Sequence, residues 1–554
     1  MLKCKLNIKY IIDDKAFEDD HLQTQHYSID MSNDGNGLKV IITPREKMEL
    51  VSFVLEYNKE YGAKDRFFSN GYQSWTTSLE YTKYDKMKGL SKITDVLPMF
   101  KPMAGLSSDY FIKGAAPVKG VFHSFTYTYV RSAETIELWG SLSEMGGYTI
   151  FNADMNKKTF SIEKDVEGLV ITEPYLLCDI VRYVDNYDSA FDKYFSTMGV
   201  AKPRINRLTG YTSWYNYFSK INEEIILRDL EGLDTVKEHA SIFQIDDGFE
   251  TAVGDWLEPN PAKFPNGMKF LADKIHDKGF KAGLWLAPFN AQRSSKVLAE
   301  HPDWFLKKPS GKPALGVANW GGAYTLDIYN PEARAYIAHF FDVVLNDWGY
   351  DLVKLDFLFS ACIQPRNGKS RGQLMCEAMD FLRECCGDKF ILGCGVPLGP
   401  AFGRVDACRI SCDVDLKYPG KFYGEILHVN NEVPSARNAI NSTIFRRHLG
   451  GRVFANDPDV FFLRDFNLVY NMKQKKLLAR INSMFGNVLF VSDDINKYKE
   501  EEKEILIKTF KKPSVMVISA EYIDKAEVKI VYLEDGAKKN LTFNIDTGES
   551  NLDW

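Results

Sequence analysis

The stretch Leu352-Val353-Lys354-Leu355-Asp356-Phe357 decides how this chain is read. It is a short apolar run with two opposite charges at alternate positions. In a β-strand, residues two apart project to the same face, so Lys354 and Asp356 are expected to point together. Charged side chains on one face of an apolar strand are costly unless they pair or do chemistry. A structural ion pair at the end of a buried strand is the plain alternative. The flanking sequence favours a working carboxylate.

Around that stretch, from about Lys202 onward, strand-like runs alternate with amphipathic helical ones, the sign of a parallel α/β architecture. The strand candidates are Leu208–Trp214, Ile242–Ile245, Ala282–Leu286, Leu352–Asp356, Phe390–Cys394, Ala407–Ile410, Val453–Ala455 and Val488–Val491. Helical stretches fall between them, including Asn222–Lys237, Met268–Lys278, Pro331–Trp348 and Gln373–Cys386, the third with proline in its first turn. Eight such units predict a closed (β/α)8 barrel over residues 199–498.

The flanks read differently. Residues 1–198 carry short β-branched and aromatic runs, such as Leu38–Thr43, Leu50–Leu55 and Thr126–Arg131, separated by Gly, Asn and Asp. They predict a β-sandwich with no long helix. Residues 499–554 return to alternating strands with an Asp535-Gly536 turn and predict a small antiparallel β domain. The whole is a multidomain α/β protein with a central barrel.

Composition narrows the function classes. With 554 residues, 45% hydrophobic and 26% charged, the chain has ample core for several domains. A net charge of −6 with both signs dispersed argues against a nucleic-acid partner. No stretch is long and apolar enough to span a membrane. The nine cysteines match no zinc spacing, and Cys385-Cys386 is a poor pair for a disulfide. The opening residues, broken by Lys9 and ended by Asp13-Asp14, are not expected to act as a secretory leader. A cytoplasmic protein with reduced thiols is expected.

Barrels of this kind place their chemistry where the strands end. The strands here end in Ser213-Trp214, Asp246-Asp247-Gly248, Trp285, Lys354 with Asp356, Gly393-Cys394-Gly395, Arg409 through Asp413, Asn456-Asp457 and Ser492-Asp493-Asp494. Three chemistries compete for this rim. Retaining glycoside transfer needs an ionised nucleophile and a separate acid about 5–5.5 Å apart. Asp356, kept ionised by Lys354, fits the first role, and Asp413, two strands on, fits the second. Asp246 and Asp247 are then free to bind sugar hydroxyls, with Trp285 or Trp214 under the ring. A Mg²⁺ site of Asp246, Asp247, Asp356, Asp413 and Asp457 is opposed by the cations Lys354 and Arg409. A Schiff-base Lys354 is opposed by Asp356, which raises rather than lowers its pKa. A non-catalytic sugar-binding barrel remains an alternative, and Cys394 and Cys412 read as small buried thiols.

These residues also form a wider pattern. Gly210-Tyr-Thr-Ser-Trp214, Gln244-Ile-Asp-Asp-Gly-Phe249, Gly254-Asp-Trp256, Phe264-Pro-Asn-Gly267, Gly283-Leu-Trp285, His301-Pro-Asp-Trp304, Lys354-Leu-Asp356, Gly393-Cys-Gly395 and Arg409-Ile-Ser-Cys-Asp413 run through the whole barrel. The chain thereby resembles the melibiase-type α-galactosidases of glycoside hydrolase family 36, in their shorter bacterial form. The resemblance implies hydrolysis of terminal α-linked galactose through a covalent glycosyl-enzyme, with Asp356 as nucleophile, Asp413 as acid/base and no cofactor. It implies that Asp246, Asp247, Lys354 and Arg409 contact the sugar, that Trp285 lines the pocket and that Cys394 lies near the 2-position. Trp75, in Tyr72-Gln-Ser-Trp75, looks like the N-terminal-domain tryptophan that reaches the pocket. Phe249 stands where many members have Trp. The Gly395-Val-Pro-Leu398 loop keeps α-N-acetylgalactosaminidase as the nearest alternative. The N-terminal domain is shorter than in the larger tetrameric members, which leaves the oligomeric state open.

Overall fold

The computed structural model describes residues 4–33, 35–87, 106–113, 118–420, 432–511 and 513–553. Strand alternation builds the N-terminal part. In Cys4–Ile12 the residues Leu6, Ile8, Tyr10 and Ile12 are buried while their neighbours face outward, and Leu38, Val40 and Ile42 do the same in Gly37–Pro44. Among the described residues two seven-stranded antiparallel sheets form this way. They share a core of Ile8, Tyr10, Val40, Phe53, Leu55, Phe151 and Phe160, as the sandwich reading predicts.

One feature of this part was not expected from sequence. Helix Tyr187–Met198 follows the last sandwich strand, capped by the Asn186 side chain accepting from Ser189 N and ended by left-handed Gly199. Its apolar face (Ala190, Phe191, Tyr194, Phe195) lies against the second sheet and the barrel. Phe191 stacks on His448 at 3.8 Å, and Tyr127 OH pairs with His448 Nε2 at 2.8 Å. Burial, aided by nearby arginines, pushes this imidazole well below its usual pKa, so it serves as a neutral core group.

The central sheet contains eight parallel strands, Leu208–Thr212, Ile242–Ile245, Lys281–Leu286, Leu352–Leu355, Phe390–Gly393, Ala407–Arg409, Ala455–Asp457 and Val488–Val491. They neighbour one another in chain order, and the first also pairs with the eighth. Between the seventh and eighth the ring is joined by Asn487 N donating to Asn456 O at 2.8 Å and by a Phe461–Val491 bridge. The seventh strand begins two residues later than the sequence suggests, so Asp457 closes the strand rather than following it. At Gly210 a Cβ would sit 1.9 Å from Ile242 O, so the first two strands approach as they do only with glycine there.

Helices fill the connections, and their starts follow side-chain caps: Asn222 for Glu223–Asp234, Asn330 with Pro331 for Pro331–Asp342, Ser370 for Arg371–Cys386 and Asn471 for Met472–Phe485. Between the third and fourth strands the chain inserts a three-stranded antiparallel sheet, Asn290–Gln292, Leu315–Val317 and Ala323–Thr325.

Beyond Lys499 the chain does not return directly to strands. Helix Glu500–Phe510 comes first and lies on the barrel, its Phe510 O and Thr509 O accepting from Arg207. Strands Val515–Tyr522, Glu527–Glu534 and Ala537–Asn544 then form an antiparallel sheet. The second hairpin turns at Asp535-Gly536, both at positive φ.

Candidate active site

At the strand ends a cavity of about 250 Å³ is lined by Asp246, Asp247, Trp285, Lys354, Asp356 and Asp413 from the barrel, with Trp75 and Trp214. Eight of the ten residues singled out from sequence therefore meet here. The other two, Cys394 and Arg409, stand directly behind the wall, Cys394 bonded to Trp75 and Arg409 to Asp413.

Asp356 follows the fourth strand and is almost wholly enclosed. Trp285 Nε1 donates to its Oδ2 at 3.0 Å, and Phe357 N donates to Oδ1 at 2.8 Å. Both oxygens are thus aimed by fixed N–H groups. Phe357 holds a left-handed backbone (φ 54), costly for a bulky residue. Its ring is wedged edge-on between Trp75 at 5.0 Å and Trp320 at 4.9 Å, and those contacts keep the strained turn in place.

Lys354 does not pair with Asp356 as the strand alternation predicted. Its Nζ donates to Asp246 Oδ2 at 2.8 Å, across the third strand. In parallel barrels inward residues from alternate strands share a layer, so the second and fourth strands meet inside. Burial opposes the Lys354 charge, but the Asp246 and Asp356 carboxylates outweigh it and raise its pKa, so the ammonium is permanent. The expected effect on Asp356 is also corrected. Burial raises the Asp356 pKa above the usual carboxylate range; Lys354 is the strongest opposing influence, Trp285 also opposes, and Asp413 adds to the rise.

Asp246 is held further by Gln244 Nε2 at 3.1 Å, while Asp247 Oδ2 accepts from Trp320 Nε1 at 2.9 Å. Burial pushes Asp247 up, and its neighbours Asp246 and Asp356 contribute to the rise. Trp320 comes from the inserted sheet and itself sits at φ 55. No motif marked it, because its place depends on how the insertion folds back over the third strand.

Arg409 organises the opposite wall. It reaches Asp413 Oδ1 at 2.9 Å, Asp459 Oδ1 at 2.8 Å and Asp457 Oδ2 at 3.4 Å. Asp413 is the open member, its side chain 41% exposed. Asp459 is buried and pushed up to about 7, by burial first and by Asp413 and Asp457, against the pull of Arg409. It also accepts from Tyr215 OH. Asp459 was missed in the sequence because it lies two residues past the strand end.

Trp75 arrives from the N-terminal part, and a buried arginine puts it there. Arg446 donates to Ser74 O (2.7 Å), Gly71 O (3.2 Å), Gln73 O (3.1 Å) and Asn70 Oδ1 (3.0 Å), and to Ile410 O on the barrel at 3.0 Å. Burial pulls its pKa down to about 10, outweighing the opposing pull of Asp109 and Glu432. Trp75 Nε1 then donates to Cys394 Sγ at 3.2 Å. Gly395, at φ 54, has no room for a Cβ, which would meet Trp75 Cζ2 at 2.9 Å. Burial, then the Asp356 charge, keeps the Cys394 thiol protonated, a donor or filler rather than a nucleophile. Trp214 opens a four-residue helix after the first strand and stands edge-on to Phe218 at the rim. Among the described residues no group of three or more His, Cys, Asp or Glu side chains is placed to hold a metal ion.

Comparison with known proteins finds relatives over part of the chain and a shared fold over most of it. A family model described as Melibiase matches residues 232–371. An "A type blood alpha-D-galactosamine galactosaminidase" of Flavonifractor plautii is 36% identical over 131 residues, 22% of this chain and 12% of that protein. The α-galactosidase Mel36A of Lactobacillus acidophilus is 31% identical over 122 residues, 21% of this chain and 16% of that protein. The chain thus matches less than a fifth of the length of these curated relatives. The α-galactosidase of Thermus thermophilus, solved with p-nitrophenyl α-D-galactopyranoside, has the same fold, with a TM-score of 0.71 at 24% identity. That likeness covers 92% of this chain and 98% of the other.

Proposed function

We propose that this chain is a retaining exo-α-galactosidase of the melibiase type, glycoside hydrolase family 36. The observation that carries the reading is one cavity with Asp356 and Asp413 on its walls and an Asp246–Lys354 pair on its floor. A cavity at the strand ends, with its carboxylates grouped on its walls, suits removal of a terminal sugar.

In the first step Asp413 gives its proton to the glycosidic oxygen while an Asp356 oxygen attacks the anomeric carbon. The bond to the leaving oxygen breaks, and the sugar is held as an ester of Asp356. Trp285 Nε1 and Phe357 N fix the attacking carboxylate, so little reorganisation is needed. Once Asp356 is esterified, the repulsion between the two carboxylates disappears. Asp413 then takes a proton from water, the water oxygen attacks the anomeric carbon, and Asp356 leaves as a carboxylate. Two inversions give net retention. Asp246, Asp247 and Lys354 bind the hydroxyls at the far end of the ring, and Trp285 and Trp75 supply apolar faces.

The name of the Flavonifractor relative supports a second reading, in which the 2-position carries nitrogen. The test is to compare aryl α-galactoside with aryl α-N-acetylgalactosaminide. Preferred cleavage of the first is expected. Preferred cleavage of the second moves the assignment, and cleavage of neither leaves a sugar-binding barrel. We place the protein in the cytoplasm on the strength of its nine unpaired cysteines.

A further inference from the structure

One wall of the cavity has no part in the mechanism above. It is made by Ser107, Glu432 and Pro434, none of them from a strand end. Pro434 is exposed, so this wall lies towards the mouth. Ser435 N donates to Asp413 O at 2.9 Å, which lays the 432–435 stretch alongside the proton donor. Glu432 Oε1 accepts from Thr76 Oγ1 at 2.7 Å, and Thr76 follows Trp75. The Glu432 carboxyl therefore stands between the Trp75 loop and Asp413, away from the Asp246–Lys354 floor.

We infer that Glu432 is a specificity residue for the leaving group, hydrogen-bonding the first hydroxyls of a sugar aglycone as it lies against Asp413. The inference rests on the glycosidase reading. A ring whose far hydroxyls sit on Asp246 and Asp247 turns its anomeric carbon towards Asp356 and Asp413, and whatever is attached beyond passes the Glu432 wall. The state of the group fits a neutral hydroxyl. Burial, and then the Asp109 carboxylate, push Glu432 up to about 8 against the hydrogen bonds from Thr76 and Ser108, so near neutrality the carboxyl is mostly uncharged. Asp109 is itself held by Tyr72 N at 2.7 Å and His123 Nε2 at 3.0 Å.

The test measures kcat/KM for the wild type, Glu432→Ala and Glu432→Gln on p-nitrophenyl α-galactoside and on an α-galactosyl disaccharide. The ratio of the two values cancels any loss of folded enzyme. Glu432→Ala is expected to lower the disaccharide-to-aryl ratio about ten- to hundred-fold. Glu432→Gln, which keeps a donor and an acceptor, is expected to stay within about three-fold of the wild-type ratio. An unchanged ratio in Glu432→Ala overturns the inference, and so does a change confined to 2-hydroxyl against 2-acetamido preference. A wild type inactive on both substrates overturns the glycosidase reading and this inference with it; an active wild type with parallel losses in Glu432→Ala overturns the inference alone.

Discussion

Two cations stand in the barrel mouth, and they are used in opposite ways. Lys354 meets one carboxylate, Asp246, and the pair is nine-tenths or more buried at the cavity floor. Arg409 meets three, Asp413, Asp457 and Asp459, of which Asp413 is open. A one-to-one buried pair is rigid, and removing either partner strands a charge. A guanidinium shared by three carboxylates leaves an excess of negative charge, and a proton has somewhere to reside; Asp459, pushed up to about 7, shows this. On the proposed reading the floor holds the sugar still, and the mouth lets a proton come and go.

If that division is right, the two sides respond differently to substitution. Asp413→Ala removes the proton donor, and on a disaccharide kcat/KM is expected to fall about a thousand-fold. With a p-nitrophenyl leaving group, which needs little protonation, the first step should survive far better. An equal loss on both substrates would give Asp413 a binding role and erase the contrast between mouth and floor.

Lys354→Met acts on the floor, and the expected loss in kcat/KM is smaller, about a hundred-fold and the same for both leaving groups. It carries a pH signature. The reaction needs Asp356 ionised, and burial already sets its pKa above the usual range with Lys354 as the strongest opposing influence. Removing the cation raises that pKa further, so the acidic limb of kcat/KM is expected to move to higher pH. A limb that stays in place or moves down would show that Lys354 serves Asp246 alone.

The sequence made the barrel legible because its strands are short apolar runs ending in charged or aromatic residues. That pattern is imposed by a closed sheet whose interior must be filled and whose rim is wet. It named Asp356, Asp413 and the Asp246-Asp247 pair for the same reason. The pairing was less legible. Lys354 and Asp356 alternate along one strand, but contact inside a barrel follows layers across strands, which puts Lys354 on Asp246. Trp320, Glu432 and Asp459 were missed because each lies outside a strand and takes its place through an insertion or loop. Helix Tyr187–Met198 was missed for a simpler cause. Its Asn186 cap and its Ala190, Phe191, Tyr194 and Phe195 spacing are present, but aromatic residues on a β-rich background read first as strand.

The central claim is that Asp356 is the nucleophile, held by Trp285 and Phe357 beside an acid/base on the other wall. Its most direct test is Asp356→Gly assayed on p-nitrophenyl α-galactoside with and without azide. The variant alone is expected to lose at least about 10⁴-fold in kcat. Added azide is expected to restore turnover and give the β-galactosyl azide, of inverted configuration. Normal turnover without azide, or an azide product of α configuration, would contradict the assignment.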